Sequence, residues 1–255
     1  MNTKKLIIGN WKMYPKSVKE AREKFTAIKK IAGSVRDVQT VVCPPALYLG
    51  DLKKIVSGHR CVLGAQNAWT EAEGAYTGEV SPLQLSSLGV SYVILGHSER
   101  RAMGETDELI QKKVAAALKA GLMVVLCVGE HVRDNDGGYL KHIGEQLALS
   151  LAGISKKDLS KIVVAYEPIW AIGAHAERAA SPEDALEVAI FIKRILSDMH
   201  GKGGDVVPVL YGGSVDAKNA GAFLAQSAIS GLLVGRASLD PKVFSAILKS
   251  TQLKK

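Results

Sequence analysis

The segment at residues 107–128, DELIQKKVAAALKAGLMVVLCV, combines two patterns that together indicate the fold. Residues 107–119 repeat apolar side chains at the spacing of one helix face, and residues 122–128 form an unbroken apolar run. Such a run is typical of a strand that is buried on both faces of a parallel sheet. The segment therefore predicts a helix followed by a fully buried strand.

The same two patterns alternate along the whole chain. Further apolar runs lie at residues 6–8, 38–42, 61–63, 90–95, 162–165, 206–210 and 231–234. Helical periodicity fills the intervals, and Ser181 and Asp240 each precede a proline in an arrangement that starts a helix. Eight strand–helix units of about 32 residues match the usual size of a (β/α)₈ barrel. The sequence therefore predicts an α/β fold with eight parallel strands surrounded by helices.

The rival architecture is a doubly wound open sheet. Such sheets often bind nucleotides through GxGxxG or GxxxxGK[ST] after a strand, and neither motif follows any of the apolar runs. No Ser/Gly-rich linker, charge block or shift in composition divides the chain. We therefore expect residues 1–255 to form a single (β/α)₈ catalytic domain.

Composition narrows the class of protein. The chain has 47% hydrophobic and 23% charged residues, which suits a large buried core. Its first residues lack the apolar core of a signal peptide, and its longest apolar run is too short to span a membrane, so we expect a cytoplasmic protein. Cys43, Cys61 and Cys127 form no CxxC pair, so neither a disulfide framework nor a zinc site is expected.

The net charge of +8 makes nucleic acid a candidate partner. Only 5% of the residues are aromatic, so few side chains could stack on bases, and no block of five or more like charges occurs. We therefore expect no nucleic-acid partner. Most lysines fall on helical segments, where we expect solvated faces.

Polar and charged residues follow several of the strands, at the end where (β/α)₈ barrels place their sites. They are Asn10 and Lys12, then His97, Ser98, Glu99 and Arg100, then Glu167, then Gly212, Gly213 and Ser214, and finally Gly235 and Arg236. A carboxylate, a histidine and a lysine that converge could move a proton next to a carbonyl and stabilise the oxyanion that forms. Glycine-rich turns before helices offer backbone N–H groups to a phosphate. These residues indicate a small phosphorylated carbonyl compound as substrate.

Each of these residues also has a structural interpretation. Lys12 could be a solvated surface lysine, His97 a packed histidine, and Glu167 the end of a strand. Glu99 and Arg100 could belong to a surface ion-pair cluster. A glycine-rich turn alone is a weak signal, because glycine occurs in turns of every kind.

A series of short motifs runs from the first predicted strand to the last. They are GNWKM at 9–13, CPP at 43–45, GAQN at 64–67, GAYTGE at 74–79, LGHSERR at 95–101, LCVGE at 126–130, AYEPIWAIG at 165–173, YGGSV at 211–215 and LVG at 233–235. In order and spacing they resemble the triosephosphate isomerase family. The resemblance implies a TIM barrel that interconverts dihydroxyacetone phosphate and D-glyceraldehyde 3-phosphate through an enediolate, in glycolysis and gluconeogenesis. It implies no metal and no organic cofactor.

The resemblance also implies roles for the catalytic residues. Glu167 would move a proton between neighbouring carbons of the triose phosphate. His97, kept neutral by the helix that it opens, would donate a hydrogen bond to the enediolate oxygens. Lys12 would supply positive charge, and Asn10 and Glu99 would orient it and the substrate.

Phosphate binding, a lid and a homodimer are implied in the same way. Backbone N–H groups of Gly173, Ser214 and Gly235 would hold the phosphate, and residues 168–180 would close over it as a lid. The loop at 66–79 would insert into a second copy, where Thr77 braces the neighbouring site. Ser98 completes the supporting residues.

The chain departs from the family pattern at three places. The lid usually reads IGTGK(T/S)AT, whereas residues 172–180 read IGAHAERAA and the stretch is about two residues longer. We therefore expect a catalytic efficiency below that of the family, through the behaviour of the segment 174–180. Arg236 replaces a second glycine after Gly235, and it either points away from the phosphate or adds a charge-assisted contact to it. Tyr14 replaces a common asparagine.

Two other functions stay open at this point. One is a different barrel enzyme that acts on a phosphorylated sugar. The other is a non-enzymatic barrel that binds a phosphate ligand or RNA.

Overall fold

The computed structural model describes residues 4–173, 176, 178–201 and 203–252. Within them, eight parallel strands pair in chain order and close into a barrel. The strands are β1 (Lys5–Asn10), β2 (Val38–Cys43), β3 (Cys61–Ala65), β4 (Tyr92–Leu95), β5 (Met123–Val128), β6 (Ile162–Tyr166), β7 (Val209–Tyr211) and β8 (Gly231–Val234). The predicted (β/α)₈ barrel is confirmed.

Helices follow the strands and surround the barrel. They are α1 (Val18–Ser34), α2 (Ala46–Lys53), α3 (Pro82–Ser87), α4 (Ser98–Ala102), α5 (Asp107–Lys119), α6 (Gly138–Ser150), α7 (Pro182–His200), α8 (Ala220–Ala225) and α9 (Pro241–Ser250). Short 3₁₀ helices lie at Lys156–Lys161, Ile169–Ala171 and Arg236–Leu239. None of the helices in the described ranges is long and apolar enough to cross a membrane.

The strands are apolar on both faces because each face packs in a different core. Ile8, Val125 and Leu210 belong to the smaller set of buried side chains, which fills the interior of the barrel. Their chain neighbours, such as Ile7 and Val124, belong to the larger set between the sheet and the helices. This two-sided burial explains why the strands read as unbroken apolar runs.

The barrel closes through the pairing of β1 with β8. Leu6 lies opposite Gly231, and the Leu6 N–H donates to the Ser230 carbonyl at 3.0 Å. A Cβ at position 231 would lie 1.8 Å from the Leu6 carbonyl oxygen, so no side chain fits there. Glycine at this position is therefore a condition of closure.

The predicted helix starts are confirmed, but two predicted strand starts are wrong: β4 begins at Tyr92 and not at Val90, and β7 begins at Val209 and not at Val206. Ser181 and Asp184 form a reciprocal capping box at the start of α7, and Asp240 caps α9. The apolar run at 206–210 predicted a strand over all five residues, yet β7 begins only at Val209. Val206 lies in a turn and is 73% exposed. An apolar side chain favours a strand, but a residue joins a sheet only where a neighbouring strand lies beside it.

Candidate active site

The carboxyl ends of β1, β4 and β6 bring three of the predicted catalytic side chains together. His97 Nε2 lies 3.2 Å from Glu167 Oε1. Lys12 Nζ donates to Glu99 Oε1 at 2.6 Å, and Glu99 Oε2 lies 3.9 Å from His97 Nδ1. A lysine, a histidine and a carboxylate from distant parts of the chain thus line one end of the barrel.

Lys12 has an unusual backbone conformation. Its φ is +49°, the only positive φ at a non-glycine position in the described part of the chain. Such a conformation costs free energy and is common at functional sites. Two contacts hold it: the Lys12 N–H donates to Asn10 Oδ1 at 3.0 Å, and Gln66 Nε2 donates to the Lys12 carbonyl at 2.8 Å. Asn10 therefore orients Lys12 through its backbone.

The Lys12 ammonium lies at the mouth of the barrel. Its side chain is 30% exposed, and that of its partner Glu99 is 51% exposed. A Cβ at Gly235 would lie 3.6 Å from Lys12 Cε, so the lysine passes close to the turn after β8. The charge is therefore held near the proposed phosphate turn and stays accessible to a small anion.

His97 is the N-cap of α4, and this position determines its tautomer. Nδ1 accepts a hydrogen bond from the Glu99 N–H at 3.1 Å, so Nδ1 carries no proton. The ring proton therefore lies on Nε2, the nitrogen that faces Glu167. The ring is only 6% exposed, which keeps this N–H away from bulk water.

Glu167 follows β6 directly and is 3% exposed. Its Oε2 accepts from the Ser98 N–H at 2.9 Å, so Ser98 contributes a backbone contact to the site. The backbone around it is tightly packed: a Cβ at Gly212 would lie 3.0 Å from Glu167 Cγ, and one at Gly129 would lie 1.8 Å from the Glu167 carbonyl oxygen. Burial, together with the neighbouring Glu167 carboxylate, raises the pKa of the Cys127 thiol, so Cys127 stays protonated beside it.

The proposed phosphate residues lie on turns that neighbour this centre. Gly173 has a φ of +83°, which only glycine adopts without strain. Ser214 Oγ donates to the Ala171 carbonyl at 3.1 Å and so links the turn after β7 to the predicted lid at 168–180. Gly235 precedes the 3₁₀ helix Arg236–Leu239. Their contact with a phosphate stays a prediction.

Arg236 is exposed beside the barrel end. Its side chain lines a groove of about 980 Å³ between α1 and α9, together with Lys24 and Lys242. A direct contact between Arg236 and the substrate phosphate also stays a prediction. Ala174, His175 and Glu177, where the lid differs most from the family pattern, lie outside the described residues.

A buried glutamate that the sequence analysis did not identify contacts Trp170, a residue of the predicted lid. Glu130 is 1% exposed, and its Oε1 accepts hydrogen bonds from the Tyr166 hydroxyl at 2.8 Å and from Trp170 Nε1 at 2.6 Å. Burial raises the pKa of Glu130, and the two donors oppose that rise. The motifs LCVGE and AYEPIWAIG contain these residues, but no spacing rule indicates that their side chains meet.

The loop at 66–79 projects from the barrel. Thr77 is exposed, while the start of the loop is tied to its end by a hydrogen bond from the Trp69 N–H to the Val80 carbonyl at 2.8 Å. Over the described ranges, no group of three or more His, Cys, Asp and Glu side chains is placed to hold a metal ion.

Comparisons with known proteins agree with this geometry. A family model described as Triosephosphate isomerase matches residues 5–251. The chain is 44% identical to the triosephosphate isomerase of Carboxydothermus hydrogenoformans over 97% of this chain and 99% of that protein. It is 45% identical to that of Fusobacterium nucleatum over 96% and 98% of the two chains. It is 43% identical to that of Aquifex aeolicus over 97% and 99%. With a match of this extent, the chain belongs to the triosephosphate isomerase family.

Proposed function

We propose that Glu167, His97 and Lys12 carry out the interconversion of dihydroxyacetone phosphate and D-glyceraldehyde 3-phosphate. Triosephosphate isomerisation is the activity of this chain, as of its family. The assignment of residues to it rests on one observation: His97 Nε2 lies 3.2 Å from Glu167 Oε1 at the mouth of the barrel. Family membership favours this enzyme over the non-enzymatic phosphate-binding barrel.

The proximity of base and donor suits an enediolate intermediate. Glu167 removes a proton from the carbon next to the carbonyl and returns it to the neighbouring carbon. The Nε2–H of His97 donates to the two oxygens, whose negative charge grows as the carbon is deprotonated. Because both side chains are almost completely buried, their interactions with the intermediate are stronger than they would be in water.

Lys12 contributes the positive charge. Its ammonium is accessible and anchored by Glu99, so it balances a substrate that carries a phosphate dianion and develops a further charge. Backbone N–H groups of Gly173, Ser214 and Gly235 hold the phosphate, and Arg236 adds to the positive field near Gly235. No metal or organic cofactor takes part in this scheme.

Substitution of Glu167 tests the assignment. Glu167→Gln keeps the shape of the side chain and removes the base, so kcat should fall by about 10²- to 10⁴-fold in a coupled assay for the two triose phosphates. Glu145→Gln is the matched control, because Glu145 is an exposed glutamate on α6, and it should match the unsubstituted protein. Turnover by Glu167→Gln within a few-fold of the control would contradict the role of Glu167.

We also propose a homodimer that forms through the loop at 66–79, with Thr77 bracing the neighbouring site. Support comes from large apolar side chains that are exposed after the first four strands. They are Met13 (92% exposed), Leu47 (81%), Met103 (74%), Leu83 (54%) and Tyr76 (43%). Because β1 to β4 pair in chain order, the segments that follow them lie along one half of the barrel rim. Exposed apolar side chains concentrated in one region of a surface are typical of an interface. Neither nucleic acid nor a membrane is proposed as a partner.

We further propose that residues 1–255 form one catalytic domain that acts in the cytoplasm. The first part is supported by the closed sheet, which includes every strand from β1 to β8. The second part is supported by the activity, because glycolytic enzymes typically act in the cytoplasm.

A further inference from the structure

Arg178, in the predicted lid at 168–180, contacts one residue near the start of that lid and one residue that follows it. At one end, its guanidinium carbon lies 4.5 Å from the centroid of the Trp170 ring, which is the range of a cation–π interaction. At the other end, its Nη1 and Nη2 donate to the two carboxylate oxygens of Asp184 at 2.6 and 3.1 Å. One side chain therefore bridges Trp170 and the first turn of α7.

Each of the two contact points has further contacts of its own. Trp170 is 5% exposed, and its indole N–H donates to Glu130 at the end of β5. Asp184 forms the capping box with Ser181, which fixes it in the first turn of α7. Arg178 therefore spans two side chains that are each held by further contacts.

A second arginine, Arg133, contacts the same two residues, Trp170 and Asp184. Arg133 Nη2 lies 3.6 Å from Asp184 Oδ1, and its guanidinium carbon lies 5.9 Å from the Trp170 centroid. Arg133 is 15% exposed and also pairs with Glu187. Trp170 and Asp184 thus each contact two guanidinium groups.

We propose that Arg178 is a positioning residue for the isomerisation. It packs on Trp170, three residues before Gly173, and ties Trp170 to Asp184 at the start of α7, and it so presets Gly173 for the substrate phosphate. A phosphate-binding turn that is positioned before the ligand arrives loses less conformational entropy on binding. The inference rests on the proposed function, because it assumes that Gly173 binds the phosphate of a triose phosphate.

The test compares substrates with and without a phosphate. Arg178→Ala should lower kcat/KM for D-glyceraldehyde 3-phosphate by about tenfold, mostly through KM, since the preset phosphate turn is lost. It should leave kcat/KM for D-glyceraldehyde unchanged, because that substrate has no phosphate for Gly173 to hold. For D-glyceraldehyde 3-phosphate, the kcat/KM of Arg178→Lys should lie between those of the unsubstituted protein and Arg178→Ala. Lysine keeps the charge and loses the bidentate and stacking geometry.

Arg194→Ala is the matched control, because Arg194 is an exposed arginine on α7 whose ion pair with Asp198 lies along the same helix. It should equal the unsubstituted protein on both substrates. The inference is overturned if Arg178→Ala equals this control, or if it lowers turnover of both substrates equally, as a general loss of structure would. An unsubstituted protein that does not isomerise triose phosphates would overturn the proposed function, and this inference with it.

Discussion

Lys113 shows how one residue can contradict its sequence-based expectation. We expected the helical lysines to lie on solvated faces, but Lys113 is completely buried. Its Nζ contacts Glu105 Oε1 at 2.5 Å and Asn67 Oδ1 at 3.1 Å, and it lies 5.3 Å from the centroid of the Trp69 ring. Burial lowers the pKa of Lys113, and Glu105 opposes that change. The lysine therefore ties α5 to the base of the loop at 66–79.

Replacement of Lys113 should destabilise the protein. Lys113→Met keeps most of the volume but leaves the buried Glu105 carboxylate with Arg100 as its remaining ion-pair partner. Breaking a buried pair by removing one partner costs about 3 kcal/mol of unfolding free energy. Urea denaturation measures the loss. Lys112→Met, at the exposed neighbouring position, should change stability by less than about 0.5 kcal/mol, and equal values for the two variants would contradict the role of Lys113.

The site residues differ in how far the sequence could predict them. Lys12, His97 and Glu167 could be found because they follow strand ends, and a barrel places all strand ends in one region. Lys113 lies on the same helix face as the buried residues Val114 and Ala117. That spacing predicts burial of a lysine only when its partner is known, and the partner Glu105 lies outside the helix. The hydrogen bond between Glu130 and Trp170 connects the segment that follows β5 to the segment that follows β6. Periodicity gives no information about such a contact.

At the scale of elements, the start of α7 links helix capping to an ion pair. Asp184 serves as the third helical residue of the capping box and as the acceptor for Arg178. The predicted cap at Ser181 is confirmed because capping depends on local sequence. The ion pair with Arg178 was not predicted, because it depends on how the chain between Trp170 and Ser181 returns to the helix.

The ion pair gives stability a defined dependence on pH. The hydrogen bond from Arg178 lowers the pKa of Asp184 from 3.8 to about 2. Because the folded pKa lies below the unfolded one, the stabilisation is fully present above about pH 5 and is lost as the pH falls towards about 2. The difference in unfolding free energy between the unsubstituted protein and Arg178→Ala should therefore be constant from about pH 8 to 5 and shrink below about pH 4. Urea denaturation at each pH measures it, and a difference that does not shrink would contradict the assignment.

At the scale of the whole molecule, the exposed apolar side chains after the first four strands contrast with the buried cores. Met13 and Met103 are among the most exposed apolar residues, although the adjoining strands are fully apolar and buried. A solvated monomer gains nothing from such exposure. A second copy of the chain would cover these side chains, which is the basis of the proposed dimer.

A charge at the tip of the loop should weaken the dimer. Thr77→Arg places a cation where the partner's site is expected, so the dimer dissociation constant should rise by at least about tenfold, since an unpaired buried charge costs well over 1.4 kcal/mol. Analytical ultracentrifugation over a range of concentrations measures it. Leu149→Arg, at an exposed apolar position on α6, provides the control. Equal dissociation constants for both variants would show that the loop does not form the interface.

Barrel closure has a consequence for the chain while it is being synthesised. The hydrogen bond between Leu6 and Ser230 needs both the first and the last strand, so the sheet stays open until β8 has been made. Until then β1 presents a row of unpaired N–H and C=O groups, and an open edge of this kind pairs readily with other strands. The nascent barrel is therefore most prone to aggregation just before its last strand–helix unit emerges from the ribosome, and only the short segment Gly231–Val234 removes that edge.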